Sequence, residues 1–207
     1  TPFPPRRPSD LGKAESMPYV VGSVLRLCVS AEFRAFATKA ERPISEFLRA
    51  VARDLDARTP GTGVGVIGMC FTGGFALAAA VDESVIAPVL SQPAVPFPVG
   101  GKRQADVGLS PTELATVVAR TRDDGLCVMG LRFSGDRTVS PKRFAALKEH
   151  LGDAFEVIEL DSSAGNAGGF GKGAHSVLTH EVREAEGHPA YEARKRVVEF
   201  LTERLRP

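Results

Sequence analysis

The residue in this sequence most able to do covalent chemistry is a cysteine in a glycine-flanked stretch, Gly68-Met69-Cys70-Phe71-Thr72-Gly73-Gly74. A strand-like run precedes it and an apolar run of helical type follows it, so Cys70 falls on a strand-to-helix turn. Such a turn carries its nucleophile at an exposed tip, and a small residue two positions earlier, here Gly68, gives the turn room. The helix start behind it favours an anion and lowers a thiol pKa from its free value of about 8.5. The first backbone N–H after the nucleophile, that of Phe71, is the natural donor to an oxyanion. Two more residues complete a set: Asp136 in Ser134-Gly135-Asp136-Arg137, and His175 in Gly173-Ala174-His175-Ser176. In this scheme His175 takes the thiol proton and later activates water, while Asp136 fixes the imidazole tautomer and stabilises its charged form. Singly, each has a plainer reading, as a buried cysteine in a glycine-rich turn, a turn or capping aspartate and a loop histidine. Their order along the chain (nucleophile, acid, histidine) joins them.

The elements that must position these residues alternate between strand length and helical period, the pattern of a parallel sheet covered by helices on both faces. Four strands are predicted: Gly65 to Met69, Ser84 to Leu90, Leu126 to Gly130 and Phe155 to Leu160. Helices are predicted over Ile44 to Arg58, with Phe47, Leu48, Val51 and Leu55 on one stripe, and over Gly74 to Val81 and Pro111 to Arg122. Two more run from Pro141 to Leu151, opening with proline at a helix start, and from Tyr191 to Leu205, with Val197, Val198, Leu201 and Leu205 able to pack inward. Between Asp161 and Ala174 the sequence is glycine-rich without period, which predicts a mobile, exposed loop leading directly to His175. Residues 1–20 read as an extended proline-rich surface segment.

With 207 residues, 43% of them hydrophobic, and a formal charge of +1, the chain has the profile of one domain spanning 1–207 with a sizeable core. Acidic and basic residues are interspersed, which argues against a nucleic-acid footprint. No apolar run approaches the roughly 18 residues of a membrane span and the opening is not a signal peptide, so the expectation is a cytoplasmic protein without membrane partners. The sequence says nothing of oligomeric state.

Several residues invite other readings. Cys28, Cys70 and Cys127 are far apart with no C-x-x-C pair, so no metal site is expected, and Cys28 and Cys127 read as buried small hydrophobes. His150, His180 and His188 read as surface residues. Gly63-Val64-Gly65-Val66-Ile67-Gly68 spells the dinucleotide fingerprint, yet it forms the strand where it should follow one. Gly168 to Gly173 fails the phosphate-loop spacing and reads as a flap beside the site. No cofactor is expected. Phe33, Phe36 and Phe97 are candidate walls of a substrate pocket, with core as the alternative, and the loop 91–101 is a candidate lining.

From about Gly63 to its C-terminus the sequence resembles the dienelactone hydrolase family of the α/β-hydrolases. The resemblance rests on Val64 to Gly74 around the nucleophile, on Phe133-Ser134-Gly135-Asp136 with Arg137-Thr138-Val139-Ser140-Pro141, and on Gly173-Ala174-His175-Ser176 before a terminal helix. It implies a three-layer α/β-hydrolase fold around a mostly parallel sheet, and hydrolysis of a small-molecule ester or lactone by Cys70, His175 and Asp136 without a cofactor. Three departures stand out. Thr72 takes the place of the first of two family glycines, which crowds the elbow and relaxes the Cys70 backbone. Thr179 stands where family members that bind acidic lactones carry an arginine, which points to a less polar substrate. The family's earlier strands, with the loop supplying a second oxyanion N–H, are expected to be missing, leaving an exposed sheet edge that invites association. Glutamine amidotransferases share a cysteine elbow but pair it with His-x-Glu, which His175-Ser176-Val177 lacks. A non-catalytic hydrolase-like protein that binds a ligand or a partner chain is the alternative function.

Overall fold

The computed structural model describes residues 17–206. Four strands, β1 (Val64–Met69), β2 (Val85–Ser91), β3 (Val128–Phe133) and β4 (Phe155–Leu160), form one sheet in that spatial order, and each neighbouring pair is parallel. The helices are α1 (Met17–Val29), α2 (Pro43–Arg58), α3 (Gly73–Ala79), α4 (Gly101–Gln104), α5 (Pro111–Asp123), α6 (Pro141–Leu151) and α7 (Pro189–Leu205). Parallel neighbours need crossover connections, and α3, α5 and α6 supply them.

The sheet has a core on each face. One joins Val85, Leu90 and Val128 to α3, to Val117 of α5 and to Phe144, Leu147 and Leu151 of α6. The other joins Val89, Met129, Leu131 and Phe133 to Ala190, Ala193, Val197 and Phe200 of α7. Because β3 is covered on both sides, all six of its residues are buried, which is why it reads as a nearly unbroken apolar run. It starts at Val128, two residues later than predicted, because the Leu126 amide donates to the Arg120 carbonyl and closes the end of α5 instead of joining the sheet. Two helix starts are capped by side chains. Ser110 and Glu113 form a reciprocal capping box on α5, and Ser140 accepts from the Lys142 amide on α6, each with proline in the first turn.

Three expectations change. Residues 17–20, read as extended, begin α1, since Pro18 falls in the first turn where its missing N–H costs nothing; the rest of the proline-rich opening lies outside the described residues. In α2 the stripe Phe47, Val51 and Leu55 is 63%, 38% and 41% exposed, while Ser45, Arg49 and Ala52 face the core. Arg49 decides this rotation: it donates to the Ala78 carbonyl at 2.9 Å and pairs with Glu113 of α5 at 2.5 Å, a buried charge that needs its partner. In α7, Val198 is 58% exposed beside the buried Val197.

The loop 161–174 is exposed over most of its length, as expected, but it is tied down at Asn166 and Phe170. Asn166 donates to the carbonyls of Ser163 and Phe170 and accepts from the Phe170 amide. Phe170 is buried edge-on against Phe133, with ring centroids 4.8 Å apart. His188, expected at the surface, packs against Phe170 and is half-buried, with Nε2 3.2 Å from the Gly168 carbonyl oxygen. Among the described residues no helix is long and apolar enough to cross a membrane.

Candidate active site

Cys70 directly follows β1, Asp136 follows β3, and His175 follows β4 and its loop, so all three lie beyond the C-terminal ends of the strands. Each is positioned by a local device. Cys70 opens a tight turn, Cys70–Thr72, that leads into α3, and it holds φ +52°, a left-handed conformation uncommon for a residue with a side chain. The turn closes only around glycine: a Cβ at Gly68 would lie 2.4 Å from the Thr72 carbonyl oxygen, and one at Gly73 would lie 2.5 Å from Pro93 Cα. Thr72 does not relax the elbow as its replacement of glycine suggested, because its hydroxyl accepts from the Met69 amide at 3.0 Å and donates to the Met69 carbonyl at 2.9 Å, stapling the turn shut. The Ala94 amide donates to the Cys70 carbonyl at 2.9 Å, fixing the elbow to the loop after β2.

That loop is held from below by Arg143 of α6, which is 1% exposed and donates to the carbonyls of Pro93, Pro96, Asp106 and Arg103. Burial lowers its pKa to about 10, so it stays charged at neutral pH with four carbonyls around it. The acid is placed by the ends of β3 and β4. Ser134 donates from its amide to the Leu160 carbonyl, and the Gly135 amide donates to Ser162 Oγ at 2.9 Å. The base sits between two anchors in the core, Ala174 at 3% and Val177 at 0% exposure.

His175 Nδ1 lies 2.6 Å from Asp136 Oδ2. The other carboxylate oxygen, Oδ1, accepts from the Thr138 amide at 2.9 Å and from its hydroxyl at 2.8 Å. Burial pushes the Asp136 carboxyl up, but the hydrogen bonds from His175 and Thr138 outweigh it and hold the carboxyl below the usual range. His175 is pushed up to about 10, first by its hydrogen bond to Asp136 and then by the neighbouring Cys70 sulfur, with burial opposing. At neutral pH the site therefore presents an imidazolium between a buried carboxylate and the exposed Cys70 sulfur. Phe71, the expected oxyanion donor, is the second residue of the turn, and the first N–H groups of a helix have no intrahelical acceptor.

No protein-family model, curated protein or solved structure matches the chain.

Thr138 was missed by the sequence reading. A signal was present, since an aspartate followed two residues later by threonine is an Asx-turn pattern in which the carboxylate accepts from that residue's amide. Cys28 was also misjudged: it is half-buried, and with Phe36, Phe97 and Val99 it lines a cavity of about 450 Å³ that borders Thr138. Phe33 is not part of that wall. Its ring packs on Phe71 and Phe75, at centroid distances of 5.2 and 5.9 Å, in a small core with Ala35 and Val95. Cys127 is half-buried against the α7 core. A larger cavity of about 590 Å³, bordered by Thr62, Glu83 and Leu126, lies at the N-terminal ends of the strands, away from all three site residues. Among the described residues no group of three or more His, Cys, Asp or Glu side chains is placed to hold a metal ion.

Proposed function

We propose that this chain is an α/β-hydrolase resembling the dienelactone hydrolases, which cleaves an ester or lactone bond through a cysteine nucleophile. The observation that carries this reading is the pairing of a strained, exposed cysteine, Cys70 at φ +52°, with a histidine already bonded to a buried aspartate.

In the proposed cycle Cys70 Sγ attacks the ester carbonyl carbon while His175 holds the thiol proton, and the Phe71 N–H takes the developing oxyanion. The tetrahedral intermediate collapses by breaking the carbon–oxygen bond. The proton on His175 passes to the leaving alkoxide, giving an alcohol and a thioester on Cys70. His175, now neutral, removes a proton from water, which attacks the thioester carbonyl, and the acid departs as Sγ is released with the proton left on His175, restoring the starting pair. Asp136 stays ionised throughout and keeps Nδ1 protonated, so that Nε2 does the proton transfers. The cycle balances with substrate and water alone, so it calls for no cofactor.

The test is turnover of phenyl acetate by the purified chain, compared with the Cys70→Ala variant at equal concentration. Many turnovers per chain, abolished by the substitution, are expected. Equal rates for the two proteins would overturn the proposal.

A further inference from the structure

The cavity of about 450 Å³ beside the site is bracketed by neighbours of both reacting groups. On one side Thr138 lines it, with Oγ1 3.2 Å from His175 Nδ1. On the other side Phe97 lines it, and its ring lies 6.1 Å from that of Phe71, the residue after the nucleophile. Its walls are Phe36, Phe97, Pro98, Val99 and the Cys28 thiol, and Arg137 is the one charged lining residue. The volume falls within the range of roughly 300–1,000 Å³ typical of small-molecule sites.

Resting on the hydrolase reading above, we infer that this cavity is the subsite for the apolar, uncharged group of the ester, on the scale of one aromatic ring. The lining decides the class. A carboxylate laid against two phenylalanines, a proline and a valine gains no partner from them, and an exposed arginine returns only about 0–1 kcal/mol. Arg137 is exposed, and it also borders the adjoining cavity of about 330 Å³ that Asp136 lines, so its charge is shared with a carboxylate already in place. The ring of a neutral aryl ester, by contrast, replaces water against Phe36 and Phe97, themselves packed 5.5 Å apart.

The experiment uses the Cys70→Ala chain, in which binding is read without turnover, and follows phenyl acetate and 4-carboxyphenyl acetate by NMR titration. Val99 and Phe36 are 62% and 43% exposed, so Val99→Asp and Phe36→Ser change the walls without emptying a core. Phenyl acetate is expected to bind more tightly than its carboxylate analogue, and each wall substitution should weaken it by about tenfold or more. Absence of binding, preference for the carboxylate, or affinity indifferent to both substitutions would overturn the subsite. The readout is separate from the hydrolase reading. Wall-sensitive binding without Cys70-dependent turnover in the wild-type chain would keep the subsite and sink the enzyme, while turnover whose KM ignores both substitutions would do the reverse.

Discussion

Replacing Thr138 by valine keeps the shape of the side chain and removes one hydroxyl, and the structure says what that hydroxyl does. It donates to Asp136 Oδ1 at 2.8 Å, beside the Thr138 amide at 2.9 Å, which leaves Oδ2 free to hold His175 at 2.6 Å. A hydrogen bond to a charged group contributes about 1.5–3 kcal/mol. The amide bond survives the substitution, so the lower end applies, and about 1.5 kcal/mol of selective stabilisation of the Asp136 carboxylate is lost. Asp136 then binds protons more readily, and its carboxylate is oriented less firmly toward the His175 imidazolium. Carried fully into the transition state, that loss lowers kcat/KM about tenfold. The assay is kcat/KM for phenyl acetate from pH 5 to 10, with NMR titration of His175 in the same variants. Thr138→Ser retains both donors and should stay within about twofold of wild type. A valine variant with wild-type kcat/KM and an unmoved His175 titration would refute the positioning role.

Three further outcomes follow from the same geometry. His175 is raised from 6.5 to about 10, chiefly by Asp136, so its contribution to stability is full below about pH 6.5 and is lost as pH rises through about 10. Urea unfolding should accordingly show wild type well above Asp136→Asn at pH 6 and the two converging near pH 10. Iodoacetamide followed by peptide mapping should modify Cys70 well before Cys28, because Cys70 is exposed beside an imidazolium whereas Cys28 is half-buried and its thiol is pushed up by burial. Gly68→Ala forces a methyl to within 2.4 Å of the Thr72 carbonyl, so the elbow must open, costing about 1–3 kcal/mol by thermal unfolding and most of the Cys70-dependent rate.

The parts of this molecule legible in its sequence are those whose causes are local. β4 and α6 lie where period and proline put them, and α5 starts at Pro111 as its amphipathic run predicts. The Asp136–His175 contact was legible only as an order of motifs, and the structure adds the 2.6 Å that makes it chemistry. What escaped was set by partners distant in sequence. The rotation of α2 follows from Arg49 pairing with Glu113, 64 residues away, so the stripe of Phe47, Val51 and Leu55 predicts the wrong buried face. The loop 161–174 is mostly exposed, as it reads, but Phe170 packs on Phe133 and His188, which no local pattern announces. Thr138 lies between these cases, a local turn signal whose value appears only once His175 is beside it.

The most direct test of the central claim is to quench the chain during turnover of phenyl acetate with acid and locate any covalent adduct by mass spectrometry of its peptides. An acetyl group on the Cys70 peptide, labile to hydroxylamine and absent from Cys70→Ala, is the expected result. Sustained turnover with no acyl group on Cys70, or with the acyl group on another residue, would contradict the account.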